Sequence, residues 1–242
     1  MRSGALILIL LASCGSDHVV RPDETTEITE NNTQPVSGNS LADVLSPEMF
    51  AAMFLHQAED ACNASAYNYD ALIEAAQMFP KFGTEGSSEA RRREVSAFLA
   101  NVSHETTGGW FVAPDGQFAW GLCFREELAC DGTPSPCVEN YCQSGSTDYP
   151  CADGQSYHGR GPLQLSWNYN YGPAGTAIGP PLLQEPFRVA ENGVVGWQAA
   201  LWFWMTTQLP KPSCHDVMTG MWKPSAEDAS AGRYPGLSLI HI

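Results

Sequence analysis

The sequence predicts a mainly α-helical domain with a small antiparallel sheet, and three observations support this. Apolar residues recur at helical spacing in three segments between residues 47 and 104. Residues 194–205 are apolar on every side, which is typical of a buried helix. Residues 106–160 are rich in Gly, Pro, Asp and Cys, which favours loops around a small sheet.

The first two helices are predicted from their end signals. Ser46 is a suitable N-cap, Pro47 suits the first helical position, and Glu48 makes the first turn acidic. The second helix is predicted over residues 69–79 and ends before Pro80, which cannot continue a helix. The folded domain is therefore expected to begin close to residue 41.

The third helix, predicted from Glu89 to about His104, is the clearest. One apolar stripe is expected to face the core, and Arg91 and its two arginine neighbours are expected on the solvated side. Glu105 then lies at the end of a helix anchored in the core, where a side chain is held more rigidly than in a loop. The stripe consists of Val95, Phe98, Leu99 and Val102.

The apolar segment 194–205 contains several aromatic residues. Packing in the core is the favoured interpretation, and a sugar-binding platform formed by one of these rings is the alternative. The aromatic residues are Trp197, Trp202, Phe203 and Trp204.

The first forty residues indicate export. Residues 1–13 combine Arg2 with a short apolar run and resemble a signal peptide, too short to span a bilayer. Leu-Ala-Ser before Cys14 resembles a lipobox, so we expect a lipid-anchored protein at the outer membrane or cell surface, or otherwise a secreted one. Residues 14–40 are acidic and poor in large apolar groups, which predicts a flexible tether.

The net charge limits the classes of binding partner, and the cysteine content indicates the redox compartment. The net charge of −15 disfavours nucleic acid and anionic membrane surfaces as partners but is compatible with a neutral polymer. Eight cysteines suit an oxidising compartment. If Cys14 is lipidated, seven remain, and one thiol is left without a partner. A zinc site in the 130–151 cysteine cluster is the alternative to disulfides, although no CxxC pair occurs there.

Two segments have a composition that packing alone does not require. Residues 104–110 are His-Glu-Thr-Thr-Gly-Gly-Trp, and residues 157–172 contain Gly-Arg-Gly-Pro followed by alternating polar and aromatic residues. The first segment lacks the second histidine of the HExxH zinc motif, so no metal site is expected from it. No cofactor motif appears, and none is expected to be needed.

Together, these segments resemble the two active-site blocks of the family-19 glycoside hydrolases, a family of chitinases. The likeness extends from about residue 41 to residue 236 and includes Phe-Leu-Ala at 98–100 and Trp-Phe-Trp-Met at 202–205. It implies a bilobal, lysozyme-like α+β fold with a deep cleft, stapled by disulfides. The implied bridges are Cys62–Cys123 and Cys142–Cys151. Cys130–Cys137 would close a small extra loop, and Cys214 is left over.

The resemblance also implies a hydrolase that uses two carboxyl groups to cleave β-1,4-linked N-acetylglucosamine polymers such as chitin. The cuts are expected at internal bonds of the polysaccharide, and the protein is expected to be a monomer. Glu105 is the expected general acid, because burial beyond an apolar helix favours its protonated form. Glu127 is the expected base. Glu126 is a rival on the residues alone, and the alignment through 120–124 selects Glu127. Inversion requires the two carboxyl groups to lie about 6.5–9.5 Å apart.

Further roles follow from the same resemblance. Ser166 is expected to help hold the attacking water, and Arg160 is favoured as a structural ion-pair partner. Substrate contacts are expected from His104, Tyr149, Tyr157, Gln164 and Asn170. The alternatives are a peptidoglycan hydrolase and a non-catalytic chitin-binding module.

The final residues depart from the family pattern. Residues 237–242 follow a family-like segment, but they resemble a translated sequencing-adapter end. We therefore expect a non-native tail and a catalytic domain, residues 41–236, that is incomplete at its C-terminus. The asparagine-rich strand and late arginine that complete the family's site have no counterpart here.

Overall fold

The computed structural model describes residues 38–128, 130 and 140–235, which fold mainly into helices. Within these residues there are two short 3-10 helices, Leu41–Asp43 and Gln117–Trp120, and eight α-helices. The α-helices are α1 (Pro47–Met53), α2 (Tyr69–Ala76), α3 (Ser88–Glu105), α4 (Asn168–Ile178), α5 (Arg188–Glu191), α6 (Gly193–Met205), α7 (Cys214–Thr219) and α8 (Ala226–Ser230).

The predicted helix starts are confirmed, and their caps explain them. The Ser46 hydroxyl accepts a hydrogen bond from the Met49 N–H at 3.2 Å, so α1 begins at Pro47 as expected. Ser87 caps α3 in the same way. The second helix ends at Ala76, three residues earlier than predicted, and residues 77–80 continue as turns.

Helix α6 lies at the centre of the core. Trp197 and Trp204 are buried in a first apolar cluster with α2 and α3, where both rings pack against Phe98 at centroid distances of 6.0 and 5.4 Å. The opposite side of α6, including Trp202, belongs to a second cluster with α4 and α5. A helix that serves two clusters must be apolar all round, which confirms its interpretation as a core helix.

Helix α3 presents its predicted apolar stripe to the core, but Arg91 was wrongly expected in solvent. Arg91 is buried, and its guanidinium donates to the carbonyl oxygens of Gly83 and Gly38, both at 2.9 Å. Glu94, one turn away, is fully buried and accepts from the Gly83 N–H at 3.0 Å. This face of α3 therefore fixes the chain that precedes it by polar contacts, which a hydrophobic pattern does not show.

The expected antiparallel sheet is absent from the described residues. These contain only isolated bridges, between Glu126 and Arg160, between Arg160 and Leu165, and between Gln208 and Lys211. The first two bridges share Arg160, so they join three chain segments without forming strands. Gly161 and Gln164, in the turn between Arg160 and Leu165, have positive φ, so this turn is tight and not strand-like.

The disulfides Cys62–Cys123 and Cys142–Cys151 are formed as the resemblance implied. Cys130 is also disulfide-bonded, so the sulfurs of Cys130, Cys142 and Cys151 are not available as zinc ligands. Cys214 is disulfide-bonded too, which corrects the expectation that it would be left over. Cys137 lies outside the described residues.

The predicted signal segment, most of the tether and the tail at 237–242 also lie outside the described residues. Among the helices that are described, none is both long and apolar enough to cross a membrane.

Candidate active site

Glu105 is the last residue of α3, and the residue that follows it fixes the end of the helix. The Thr106 hydroxyl donates to the Val102 carbonyl at 2.6 Å and accepts from the Leu122 N–H at 2.7 Å. The Thr106 carbonyl accepts from the N–H groups of Cys123 and Phe124 at 3.2 and 3.1 Å. The turn that bears Glu105 is therefore bonded directly to residues 122–124.

Two glycines allow this close approach. A Cβ at Gly108 would lie 2.3 Å from the Cys123 sulfur, and a Cβ at Gly121 would lie 2.7 Å from the Ser103 Cα. The Cys62–Cys123 disulfide holds the same segment from the other side. Gly108 of the first block thus has a packing reason as well as a place in the motif.

The next residues of that segment contact the second block. The Glu127 N–H donates to the Gly159 carbonyl at 2.9 Å, and the Gly161 N–H donates to the Arg125 carbonyl at 2.8 Å. Residues 120–127 therefore lie between the two blocks and are hydrogen-bonded to both. This arrangement brings Glu105, Glu127 and the loop 157–165 into one connected unit.

Glu126 is committed to an ion-pair cluster. Its carboxylate lies 3.1 Å from His158 Nε2, 3.4 Å from Arg160 Nε and 3.5 Å from Arg125 Nε. Burial alone would raise the pKa of Glu126, but the His158 hydrogen bond and the charges of Arg160, His158 and Arg125 outweigh burial and lower it. Glu126 is thus held as a structural carboxylate, and Arg160 is its buried ion-pair partner, as favoured from the sequence.

The hydrogen bonds of His158 define its tautomer. Arg160 lies 3.2 Å from His158 Nδ1, and because a guanidinium can only donate, Nδ1 must accept. His158 Nε2 donates to the Glu126 carboxylate at 3.1 Å. Tyr171 completes the cluster by accepting from Arg160 at 3.2 Å and donating to the His158 carbonyl at 2.9 Å. Burial raises the pKa of Tyr171 to about 12, so it stays protonated.

Glu127 has a different environment from its neighbour. One oxygen, Oε1, accepts a hydrogen bond from the Tyr141 hydroxyl at 3.1 Å. The other oxygen, Oε2, is buried and has no hydrogen-bond partner among the described residues. A buried carboxylate oxygen without a partner is costly unless a ligand or water meets it. Of the two adjacent glutamates, Glu127 is thus the one whose carboxylate has no basic side chain as a partner among the described residues.

The predicted residues of the second block surround the start of α4. Ser166 is buried, and its carbonyl accepts from the Asn170 side-chain amide at 2.9 Å. Gln164 has a φ of 48°, and its amide donates to the Gly161 carbonyl at 3.0 Å. Gln164 and Asn170 are both partly exposed, so each retains polar surface for a ligand.

The remaining predicted contacts differ in accessibility. Tyr149 is partly exposed and packs against α4, where a Cβ on Gly172 would lie 2.1 Å from its ring. His104 is partly exposed, with its ring 5.5 Å from that of Phe118. Tyr157, expected in the groove, is instead fully buried, and its hydroxyl donates to the Leu183 carbonyl at 2.9 Å. The structure therefore gives Tyr157 a packing role.

Trp110 is half exposed, and its ring contacts that of Trp120 at 5.4 Å. Sequence reasoning also missed Tyr141 and the pair formed by Trp167 and Tyr169, whose rings stack at 5.8 Å. The Trp167 ring meets the Tyr141 ring edge-on at 5.5 Å. The aromatic spacing of Trp-Asn-Tyr was the available signal, since residues two apart meet when the chain turns sharply between them.

No group of His, Cys, Asp and Glu side chains in the described part of the chain has the arrangement of a metal site. Glu105 and Glu127 lie on one hydrogen-bonded frame in a mainly helical fold, with polar and aromatic side chains nearby. This combination is typical of an enzyme that cleaves glycosidic bonds by acid–base chemistry.

Comparison with known proteins identifies the family. The family model described as chitinase class I, of glycoside hydrolase family 19, matches residues 44–242. The chain belongs to this family. Chitinase 9 of Oryza sativa subsp. japonica is 55% identical over 198 residues, covering 81% of this chain and 57% of the relative. The endochitinase of Carica papaya is 55% identical over 198 residues, covering 81% of this chain and 78% of the relative.

Two further comparisons bear on the interpretation. A protein named inactive chitinase-like protein 1, of Hevea brasiliensis, is 52% identical over 204 residues, covering 84% of this chain and 62% of that protein. The crystal structure of a class IV family-19 chitinase from Zea mays matches with a TM-score of 0.58 and 35% identity, covering 73% of this chain and 75% of that one. The chain thus spans between 57% and 78% of the length of these three sequence relatives.

Proposed function

We propose that this protein hydrolyses β-1,4-linked N-acetylglucosamine polymers, with chitin as the substrate, by cutting within the chain. The observation that supports this most directly is the contrast between two adjacent glutamates. Glu126 is paired with three basic side chains, whereas Glu127 has a buried oxygen without a partner in the described part of the chain. Glu127 is also joined through one hydrogen-bonded segment to the turn that bears Glu105. Family membership supports the same chemistry.

In the proposed reaction, Glu105 is the general acid and Glu127 the general base. Glu105 gives its proton to the oxygen of the departing sugar as the glycosidic bond breaks. Glu127 takes a proton from a water molecule, and that water's oxygen forms the new bond on the opposite face of the anomeric carbon. The product has the inverted configuration. Water is consumed, and each carboxyl group returns to its starting state by exchanging a proton with solvent.

The remaining roles concern the water and the substrate. We propose that Ser166 helps hold the attacking water, and that Asn170 contacts the acetamido group of a bound sugar. His104, Tyr149 and Gln164 complete the proposed contacts, and their partial exposure supports this. Tyr157 is left out because its side chain is buried. The bilobal, lysozyme-like shape with a deep cleft belongs to this proposal, as does action as a monomer.

The test is chitin hydrolysis by three variants. Glu105→Gln and Glu127→Gln should each lower the release of soluble oligosaccharides from colloidal chitin by at least about a hundredfold, the scale expected for loss of general acid or base catalysis. Glu89→Gln is the matched control, because Glu89 is exposed at the opposite end of the same helix. NMR of the first-formed anomer distinguishes inversion from retention. Wild-type turnover in Glu105→Gln contradicts the assignment of the acid.

A non-catalytic chitin-binding protein is the second candidate, because a 52% identical relative is named inactive. Pull-down on chitin together with product release separates the two functions. Binding without product release from wild-type protein favours the second candidate, whereas binding by Glu105→Gln with release only from wild type favours the enzyme. Peptidoglycan as a parallel substrate tests the remaining hydrolase alternative.

We further propose that the protein is exported and anchored through a lipid on Cys14. The short apolar run before this cysteine and the acidic tether after it support the proposal. Radiolabelled palmitate should be incorporated into the full chain and not into Cys14→Ser. Equal labelling of both, or of neither, contradicts the anchor.

A further inference from the structure

Tyr141 contacts the side chain of the proposed base directly. It is buried, and its hydroxyl donates to Glu127 Oε1 at 3.1 Å while Glu127 Oε2 has no partner among the described residues. A phenol that donates to one oxygen of a carboxylate restrains the orientation of the carboxyl plane. The contact therefore distinguishes the two oxygens of Glu127.

The backbone at Tyr141 is held in an unusual conformation. Tyr141 has a φ of 51°, and Trp167, whose ring packs edge-on against it, has a φ of 72°. Left-handed conformations of large side chains are unfavourable and persist only where surrounding contacts hold them. Here the Trp167 N–H donates to the Tyr157 carbonyl at 2.8 Å, and the Asn168 N–H donates to the Tyr141 carbonyl at 3.3 Å.

The loop that follows Tyr141 is held by further hydrogen bonds and by a disulfide. Asn168 is fully buried, and its side chain accepts from the Gln143 N–H at 2.8 Å and donates to the Tyr149 carbonyl at 2.7 Å. The Cys142–Cys151 disulfide closes the same loop directly after Tyr141. Several independent contacts thus maintain two strained residues, and their common result is the position of one hydroxyl group against Glu127.

We propose that Tyr141 is a positioning residue for the base: its hydroxyl holds Glu127 Oε1 and so fixes the orientation in which the carboxylate meets the attacking water. The inference rests on the proposed function of Glu127. Tyr141 itself contacts neither sugar nor water in this role, and acts by limiting the orientations of the carboxylate. Misplacement of a catalytic group by about 1 Å can lower the rate by roughly a hundredfold.

The test is Tyr141→Phe, which removes the hydroxyl and keeps the ring that packs against Trp167. With a soluble N-acetylglucosamine hexamer as substrate, kcat should fall roughly ten- to a hundredfold, the range expected for a hydrogen bond to a charged group. KM should change by less than about twofold, because substrate contacts are intact. Tyr69→Phe is the matched control, since the Tyr69 hydroxyl donates to the Leu45 carbonyl at 2.8 Å and its loss leaves Glu127 untouched.

A double-mutant cycle separates positioning from a merely structural effect. In the Glu127→Gln background, measured by single turnover, Tyr141→Phe should lower the residual rate by less than about twofold, because the group that it positions has been replaced. Equal losses in both backgrounds, or a change in KM alone, overturn the inference. Loss of activity in Glu127→Gln with an unchanged rate in Tyr141→Phe also overturns it but leaves the proposed function intact. Wild-type turnover in Glu127→Gln overturns the proposed function itself.

Discussion

The Thr106 hydroxyl accepts a hydrogen bond from the Leu122 N–H at 2.7 Å, and through this contact the end of α3 is joined to the segment that leads to Glu127. The same hydroxyl donates to Val102, so one oxygen satisfies groups on both sides. Thr106 is almost fully buried. The contact is therefore a buried hydrogen bond that joins the helix end bearing the proposed acid to the segment bearing the proposed base.

Thr106→Val should consequently lower both stability and activity. Valine has nearly the same shape but leaves the Leu122 N–H buried without a partner, which costs about 1–3 kcal/mol in the free energy of unfolding. Urea denaturation measures that cost, and kcat on a chitin oligomer should fall because Glu105 is the preceding residue. Thr106→Ser keeps the hydroxyl and should restore most of both quantities. Equal behaviour of the two variants would show that the hydroxyl contact is unimportant.

Replacement by glutamine should lower the free energy of unfolding at Glu126 and the turnover at Glu127. Glu126→Gln leaves the buried Arg160 without its anionic partner, so the free energy of unfolding should fall by roughly 3–5 kcal/mol. Glu127→Gln removes a carboxylate that has no cationic partner among the described residues, so its stability should change little while its turnover is lost. Denaturation curves and turnover at a temperature where both variants are folded test this. A Glu126→Gln enzyme that is stable but inactive would exchange the two roles.

His215 makes stability depend on pH near neutrality. Its Nδ1 lies 2.6 Å from Glu94 and its Nε2 lies 3.0 Å from Glu85, which in turn lies 3.6 Å from Lys81. Burial opposes the charged ring, but the hydrogen bonds and charges of Glu94 and Glu85 outweigh burial and raise the pKa of His215. A pKa raised by folding gives stability that is complete below the ordinary histidine value of about 6.5 and is lost as the pH rises through the folded value.

The free energy of unfolding should therefore fall as the pH rises above about 6.5, with a slope of at most about 1.4 kcal/mol per pH unit from this group. His215→Gln should be less stable at pH 6, because fully buried Glu94 loses its cationic partner, and should lack this part of the slope. Chemical denaturation across that range is the measurement. An identical slope in both proteins would assign the pH dependence to other groups.

The capped helices and the disulfides could be predicted because their signals are local or inherited from a family pattern. Ser46 and Pro47 indicate the start of α1 through an N-cap and a first-turn proline, which need only neighbouring residues. The apolar stripe on α3 needs only a period of 3.6 residues. Helix α4 was not predicted, because Asn-Tyr-Asn-Tyr-Gly-Pro resembles a turn. Its glycine, Gly172, instead allows Tyr149 to pack against the helix, a contact that depends on residues far apart in the chain.

Within the candidate site, the sequence separated Glu126 from Glu127 only through family alignment. The physical distinction lies in contacts across more than thirty positions, from His158 and Arg160, which no local pattern reveals. Tyr141 was missed because its contact with Glu127, across 14 positions, follows no local pattern either. Arg91 was assigned to solvent because an arginine on a helix is usually exposed, whereas two backbone carbonyls from other segments meet it here.

The two described disulfides should differ in what their removal costs. Cys62–Cys123 spans 61 positions and Cys142–Cys151 spans 9, so loop-closure entropy predicts losses of roughly 4 and roughly 2.5 kcal/mol respectively when each pair is replaced by serine.

Turnover should show the reverse order at a temperature where both variants are folded. Without Cys62–Cys123, the Asn63 N–H still donates to the Cys123 carbonyl at 2.7 Å, and the Asn63 side chain still accepts from Arg125 at 3.0 Å. Residues 123–125, which lead to Glu127, therefore keep two hydrogen bonds to Asn63. Without Cys142–Cys151, the strained backbone beside Tyr141 loses a covalent restraint directly next to it, so the position of Glu127 should suffer more. Urea denaturation and kcat on a soluble oligomer measure the two orders. A larger loss of kcat in the Cys62→Ser/Cys123→Ser protein would mean that the Cys62–Cys123 disulfide, and not the loop at Tyr141, determines the position of Glu127.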